Sequence, residues 1–249
     1  MIRSTDPPMR FVLFTVGVLL LVAIVSAIGK LGAVPLAASV LLLYGAWVWF
    51  GVKTRDHTIW LWLLFGLATG LTQVGSNCDW WLCTHLETLI YPDNLPKIGV
   101  SPFYLPFAWA LIFTQLTIIG AWILKRRDPL TASILTAVIG GVLISIFENL
   151  AHPALWWYYQ ETPMFIWAPY FVNIFEFLST LGFVLAAWRI ARATVLWRAY
   201  VWAIGIGFGM GIWMCVAMRF AWWLVGPCEM AAIQLTCEPV PTPAGWPPD

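Results

Sequence analysis

Long apolar stretches alternate with short polar or charged segments along the whole chain. A helix needs about 20 consecutive apolar residues to cross the hydrocarbon core of a membrane, and seven stretches approach or exceed that length. The predicted spans cover residues 11–28, 34–52, 58–82, 102–124, 130–150, 169–190 and 199–225. Residues 226–249 are polar and Pro-rich, which predicts an irregular tail. The pattern therefore predicts an all-α, polytopic membrane protein that forms a single helical domain.

The composition supports a membrane protein. Of the 249 residues, 61% are hydrophobic and 10% are charged, whereas soluble domains are about 45–50% apolar and about 25% charged. The formal net charge is +1, and no basic run suggests a nucleic-acid partner. Membrane lipids are the expected surroundings, and nothing in the sequence sets an oligomeric state.

Basic residues predict how the chain crosses the membrane. A cytoplasmic N-terminus would place ten of the 13 Lys and Arg residues on the cytoplasmic side of seven spans, as the positive-inside rule requires. The ten are Arg3, Arg10, Lys53, Arg55, Lys125, Arg126, Arg127, Arg189, Arg192 and Arg198. The C-terminus is then predicted to be extracytoplasmic.

Acidic residues follow the opposite distribution, and nine of the 12 fall toward the outer side. Asp79, Glu148 and Glu176 lie among strongly apolar neighbours. An acid inside a span costs about 2.5–3.5 kcal/mol on insertion scales, so each is expected to face the bundle interior. These three are the candidate catalytic residues, and structural contacts between helices are the alternative explanation.

A short motif suggests an internal repeat. Residues 87–92 and 148–153 share the pattern E-x-L-x-x-P, and each is followed by a loop and a helix start of Pro and two aromatic residues. Spans three and four would then be a parallel copy of spans five and six. Repeated helix hairpins in transporters commonly place a site at their interface.

Other polar and aromatic side chains near the same level are candidate substrate-binding residues. Helical spacing would place Glu87 near Asp79, His152 near Glu148 and Asn173 near Glu176. Arg219 lies in an otherwise uncharged span, where it would pair with an acid, hold an anionic substrate group or reach to the interface. The candidate wall residues are Trp80, Trp157, Tyr170 and Trp223. Solvation at the interface and aromatic anchoring are the alternatives for these side chains.

Cysteines and glycines add two structural predictions. Cys78, Cys83, Cys228 and Cys237 fall on the predicted oxidising side, where three pairings exist and Cys78–Cys83 with Cys228–Cys237 is the simplest. Glycines 205, 207, 209 and 211 form two overlapping G-x-x-x-G faces, which predict close helix packing in the last span.

Several classes of protein are excluded by missing motifs. Three His residues are too few for the multi-His clusters of membrane di-iron enzymes, and the last span has no Lys for a retinal Schiff base. No P-loop, G-x-S-x-G or H-E-x-x-H motif occurs. We therefore predict neither a cofactor nor a metal.

Acids near helix ends among Trp and Tyr occur in GSNCDWW, HLETLIYP, IFENLAHP and IFEFL. With the seven spans and the chain length, they make the sequence resemble the integral-membrane terpene cyclases of fungal meroterpenoid and bacterial indole-sesquiterpene pathways. The resemblance implies a carboxylic acid that protonates an epoxide or alkene of a prenylated substrate without a metal. Carotenoid cyclases or hydratases and sterol isomerases are neighbouring families.

The residues and the resemblance together predict protonation-initiated cyclisation of an isoprenoid lipid. Asp79, Glu148 and Glu176 would supply the acid and its partners, and aromatic walls would stabilise the cation. The alternative is a non-enzymatic protein that binds or transports lipid, or a membrane subunit of a complex. A closed aromatic cavity around the acids would favour the enzyme, and a continuous polar path would favour the alternative.

Overall fold

The computed structural model describes residues 8–75, 78–193 and 195–226. Its helices are α1 Met9–Gly29, α2 Ala33–Thr54, α3 His57–Gly75, α4 Cys78–Trp80, α5 Leu105–Leu124, α6 Pro129–Ala151, α7 Tyr170–Thr180, α8 Phe183–Ala191 and α9 Leu196–Val225, with a π-helical turn at Trp81–His85. Within this part of the chain, seven helical spans are long and apolar enough to cross a membrane. The predicted all-α, seven-span fold is therefore confirmed.

Two of the spans are interrupted helices. The third runs over His57–His85 and combines α3, α4 and the π-helical turn. The sixth runs over Tyr170–Ile190 and combines α7 with most of α8. π-helical turns are rare and are frequently found at functional sites. This one directly follows Asp79, so the interruption coincides with the first candidate acid.

The fourth span begins later than the sequence pattern predicted. It was expected to start at residue 102, but α5 begins at Leu105. Pro102 instead pairs with Lys97 in a short antiparallel hairpin formed by strands Lys97–Ile98 and Ser101–Pro102. A proline ring fixes φ and removes a donor, which suits the end of such a strand better than a helix interior.

Small residues set the position of α3 between α5 and α9. A Cβ atom on Gly66 would lie 2.6 Å from the Ala110 carbonyl oxygen, and one on Gly70 would lie 2.5 Å from the Pro106 carbonyl oxygen. On the other side, Gly207 of α9 approaches the backbone of α3 just as closely. Small side chains let membrane helices approach to backbone contact. Of the two predicted glycine faces of the last span, the Gly207–Gly211 face packs against α3, whereas a Cβ added at Gly205 or Gly209 would meet no atom of the described residues within 4 Å.

The two longer connections, residues 86–104 and 152–169, lie together at one end of the bundle, called the loop end below. Their strands Leu89–Ile90 and Tyr158–Tyr159 pair in antiparallel register. The turn between α1 and α2 lies at the same end, because the Gly32 backbone N–H donates to the Ala154 carbonyl oxygen at 3.0 Å.

The structure supports an internal repeat, but in a different register from the sequence motif. Each half has a helix, a strand, a hairpin and a second helix, and the second hairpin joins Met164–Phe165 to Ala168–Pro169. The separation from Asp79 to Glu148 equals that from Leu89 to Tyr158, so the two acids occupy equivalent positions. Matching Glu87 to Glu148 was wrong, because Glu87 lies in a loop with φ +54° whereas Glu148 lies inside α6.

The predicted Cys78–Cys83 disulfide was also wrong. Cys78 at the start of α4 is bonded to Cys215 of α9, and Cys83 is a free thiol. The α4 turn packs against α9, which brings Cys215 to Cys78. Cys228 and Cys237 lie outside the described residues. The bond found ties the turn that carries Asp79 to the longest helix.

Candidate active site

A cavity toward the loop end holds all three candidate acids. Asp79, Glu148 and Glu176 line it together, and the rest of its wall is mainly aliphatic and aromatic. Its volume is about 70 Å³. Ligand pockets usually measure about 300–1,000 Å³, so the cavity is narrow for a ligand. We call it the acid cavity.

Asp79 is the most heavily hydrogen-bonded of the three acids. It is 3% exposed, and its carboxylate accepts from Ser101 Oγ at 2.6 Å and from the Tyr91 hydroxyl at 2.9 Å. Gln73 Nε2 donates to its other oxygen at 3.2 Å. The donors come from α3, from the chain just after the first strand and from the first hairpin. The fold of the first half therefore builds the Asp79 site.

Glu148 lies in the last turn of α6 and is also buried. Its Oε2 accepts from Trp157 Nε1 at 2.9 Å and from the Tyr159 hydroxyl at 3.0 Å. Tyr159 belongs to the strand that pairs with Leu89–Ile90. The pairing between the two repeats therefore holds a hydrogen-bond donor for Glu148 in place.

Glu176 lies in α7, is 1% exposed and lines the same cavity. Its Oε2 has no hydrogen-bond partner among the described residues. Nearly all buried polar atoms in proteins have a partner, so a buried carboxyl oxygen without one is a candidate for contact with a ligand. Glu176 thus keeps one buried carboxyl oxygen unsatisfied, whereas both oxygens of Asp79 accept hydrogen bonds.

Two tyrosines connect the acids electrostatically. Burial, the nearby charge and hydrogen bond of Glu148, and the charges of Asp79 and Glu176 all raise the pKa of Tyr159 well above its usual value. Burial and the charge of Asp79 likewise raise the pKa of Tyr91 well above its usual value. Both hydroxyls therefore stay protonated at neutral pH and act as donors. The coupling to Tyr159 places all three acids in one electrostatic group.

The described wall of the acid cavity contains no positively charged side chain to compensate the acids. Among the described residues that line the acid cavity, none is Lys, Arg or His. Ionised groups in an apolar site without a counter-charge are strongly disfavoured, and nearby like charges disfavour ionisation further. The described lining of the cavity therefore offers these acids no ion pair. No three His, Cys, Asp or Glu side chains of the described residues come close enough to hold a metal ion.

The cavity wall includes one of the four predicted wall residues. Trp157 lines the acid cavity and contacts the Tyr91 ring at 6.3 Å between centroids. The other three lie elsewhere: Trp80, Tyr170 and Trp223 are 50%, 38% and 60% exposed, respectively. Adjacent positions of a helix point about 100° apart, which explains why Trp80 faces outward next to the buried Asp79.

Two of the predicted polar residues, His152 and Asn173, do not line the acid cavity. His152 is buried and stacks on Trp167 with ring centroids 4.1 Å apart. Burial lowers the pKa of His152 to about 4, so it is neutral at physiological pH. Asn173 donates from Nδ2 to the Pro169 carbonyl oxygen and lines a separate groove outside the bundle together with Tyr170.

The remaining predicted residues, Arg219 and Glu87, are exposed. The Arg219 guanidinium lies over the Trp81 ring at 5.5 Å, and it makes no ion pair with an acid of the described chain. The predicted pairing of Arg219 with a buried acid is therefore not found, because its helix face points outward. Glu87 lies beyond the π-helical turn and does not share a helix face with Asp79.

Sequence reasoning missed several residues of the site. Gln73, Trp109 and Trp156 line the acid cavity, and Ser101 donates to Asp79 from the first hairpin. Gln73 carried a usable signal, because a buried amide in an apolar span needs a polar partner. Ser101 carried none, since its contact depends on a hairpin that the hydrophobic pattern did not predict.

A family model described as a domain of unknown function, DUF6989, matches residues 77–225, which is more than half of the chain. The matched region contains Asp79, Glu148 and Glu176. No curated protein and no solved structure matches the chain.

Proposed function

The chain belongs to the DUF6989 family, and we propose that it is an integral-membrane cyclase that protonates an isoprenoid or prenylated substrate with a carboxylic acid. One observation carries the proposal: three buried acids line one narrow, aromatic-walled cavity, and its described lining contains no basic side chain. A neutral carboxylic acid is a proton donor, and aromatic faces stabilise the cation that protonation creates.

The hydrogen bonds divide the roles among the acids. Donors aimed at Asp79 and Glu148 stabilise a carboxylate at these positions, whereas no described residue donates to Oε2 of Glu176. In the proposal, Glu176 delivers its proton to an alkene or epoxide. The π electrons of a second double bond then form the ring bond, and loss of a proton to Asp79 or Glu148 ends the reaction. Proton gain and loss balance, so the product is an isomer of the substrate.

The proposed orientation places the acid cavity in the outer leaflet. Basic residues concentrate at the end of the bundle opposite the loop end, and the positive-inside rule assigns that end to the cytoplasm. Five of them lie over Trp rings, as expected at a membrane interface: Lys53, Arg126, Arg189, Arg192 and Arg198. The N-terminus is then cytoplasmic and the C-terminus extracytoplasmic, and the substrate enters from the membrane.

The test compares lipid extracts of isoprenoid-producing cells with and without the gene, searching by mass spectrometry for new isomers of equal mass. In the same cells, Glu176→Gln should lower the new isomer by about 10²–10⁴-fold, because an amide cannot donate the proton. Asp79→Asn and Glu148→Gln should also lower it. Expression is followed by immunoblot of the membrane fraction.

Glu161→Gln is the matched control, because Glu161 is exposed in a loop and the chemical change is the same. It should leave the yield of the isomer unchanged. If the three acid variants all retained full yield at normal expression, the proposed chemistry would be wrong.

A second candidate function is lipid binding without chemistry. A separate apolar groove runs along the outer faces of α6 and α7, where Ser145, Asn149 and Asn173 are among its polar groups. Such a groove is suited to a lipid chain. Under this alternative, the protein purified from these cells would carry a bound lipid, and the cells would form no new isomer.

A further inference from the structure

Gln73, like Glu176, is a buried residue of the acid cavity with a polar atom that has no hydrogen-bond partner among the described residues. It lies in the last turns of α3, is 1% exposed and lines the cavity. Its Nε2 donates to Asp79 Oδ1 at 3.2 Å. Since a carboxylate only accepts, the amide nitrogen must face Asp79, which fixes the carbonyl oxygen on the other side of the amide.

That carbonyl oxygen, Oε1, has no hydrogen-bond partner among the described residues. An amide oxygen is only an acceptor, so its missing partner must be an O–H or N–H donor. Four donors of the cavity wall are already engaged: the Tyr91 hydroxyl with Asp79, Trp157 Nε1 and the Tyr159 hydroxyl with Glu148, and Trp156 Nε1 with the Gly32 carbonyl oxygen. Since no described residue donates to Gln73 Oε1, a molecule in the cavity is a suitable source of the missing donor.

We propose that Gln73 Oε1 accepts a hydrogen bond from an O–H or N–H group of the substrate, so that the acid cavity selects an isoprenoid with a free donor over a hydrocarbon. The inference rests on the proposed function, since it takes the cavity as the substrate site. It narrows the substrate class, because a purely hydrocarbon polyene would leave the buried acceptor unsatisfied. Sites built to hydrogen-bond a substrate group discriminate strongly against analogues that lack it.

Three probes of equal chain length test the proposal: farnesol, its methyl ether, which cannot donate, and the hydrocarbon farnesene. Binding to the purified full chain in nanodiscs is followed by tryptophan fluorescence, to which the cavity residues Trp109, Trp156 and Trp157 contribute. Farnesol should bind about tenfold more tightly than the ether or the hydrocarbon, as one hydrogen bond to a buried acceptor allows. This comparison in the wild-type protein requires no variant to fold.

Gln73→Met should then reduce the preference for farnesol over its ether to about one, because methionine is similar in length but is a poor acceptor. Gln73→Glu keeps a carbonyl acceptor and should retain the preference. Gln115→Met is the matched control, since Gln115 is equally buried but hydrogen-bonds Thr15 instead of lining the cavity.

Equal affinities for the three probes in the wild-type protein, no binding of farnesol, or an unchanged preference in Gln73→Met would each overturn the proposal. The binding assay does not depend on isomer formation. A failure of the proposed Gln73 contact can therefore be told apart from a failure of the proposed cyclase activity. Loss of the alcohol preference with Glu176-dependent isomer formation intact refutes only the role of Gln73. A preserved preference without any isomer refutes the cyclase instead.

Discussion

Two glycines of α9 provide a direct test of how the bundle is held together. Gly207 faces α3, where an added Cβ would lie 2.7 Å from the Phe65 carbonyl oxygen and 2.8 Å from Ala68 Cβ. Gly205 lies two residues earlier, on nearly the opposite face of the same helix. A Cβ added there would meet no atom of the described residues within 4 Å. The two sites share a helix and differ mainly in whether a neighbouring helix touches them.

The expected effects of alanine at the two positions have opposite signs. Replacing a mid-helix glycine by alanine stabilises the helix by roughly 0.5–1 kcal/mol, and this gain is common to both variants. Forcing a methyl group into a packed contact costs about 1–3 kcal/mol, and only Gly207→Ala incurs this cost. The difference in the free energy of unfolding between the two variants therefore measures the contact of Gly207 with α3, and we expect it to be about 1–3 kcal/mol.

Thermal unfolding of the purified variants in the same detergent, followed by intrinsic tryptophan fluorescence, measures the difference. Gly207→Ala should unfold at a lower temperature than the wild type, and Gly205→Ala at the same or a higher temperature. Equal shifts of the same sign in both variants would show that α9 does not pack on α3 through Gly207.

Two further predictions concern the disulfide and His152. Reduction of the Cys78–Cys215 bond, or Cys78→Ser, should lower the unfolding temperature, since a closed loop of this length (sequence separation 137) is worth up to about 5 kcal/mol by loop entropy. Cys83→Ser, which removes the free thiol, should not lower it. Because the folded pKa of His152 is about 4, below its unfolded value, stability should be complete above about pH 6.5 and fall as pH decreases toward 4. His152→Gln should flatten this part of the pH profile of the unfolding temperature, and an unchanged profile would contradict the assignment.

The hydrophobic pattern predicted the spans because it reports burial in lipid directly. Many large side chains, such as Leu42 and Ile28, remain exposed on the bundle surface at 75% and 81%. Such residues lengthen the apolar runs without taking part in the core, so the spans are visible in sequence. The π-helical turn at Trp81–His85 was not visible, since it depends on local backbone geometry.

The acids were predictable and their surroundings were not. Glu176 in an apolar span must face inward whatever the topology, because the cost of exposing an acid to lipid decides its direction. Trp80 and Trp157 were both predicted as wall residues because each is a tryptophan near a candidate acid in the sequence. Only Trp157 lines the cavity. An aromatic ring is tolerated both at the interface and inside, so residue type alone does not choose between them.

The repeat register explains how the acid cavity arises between the two halves. Asp79 and Glu148 occupy equivalent positions, and each accepts a hydrogen bond from a tyrosine at or next to the strand of its own half, Tyr91 or Tyr159. Because the two strands pair with each other, both acids are brought to the interface of the repeats. A site between repeats is the arrangement seen in transporters built from duplicated hairpins.

The symmetry is broken at one position that bears on the proposed chemistry. Trp109 follows Pro102 at the same separation as Glu176 follows Pro169, and both line the acid cavity. The second half thus contributes an acid where the first contributes an indole ring that stacks on Phe113. Under the proposed function this difference gives the cavity a direction, because protonation begins beside Glu176 and the ring of Trp109 stabilises the cation that results. A symmetric pair of acids would instead compete to donate, so the Trp109–Glu176 difference is the feature that favours one proton donor.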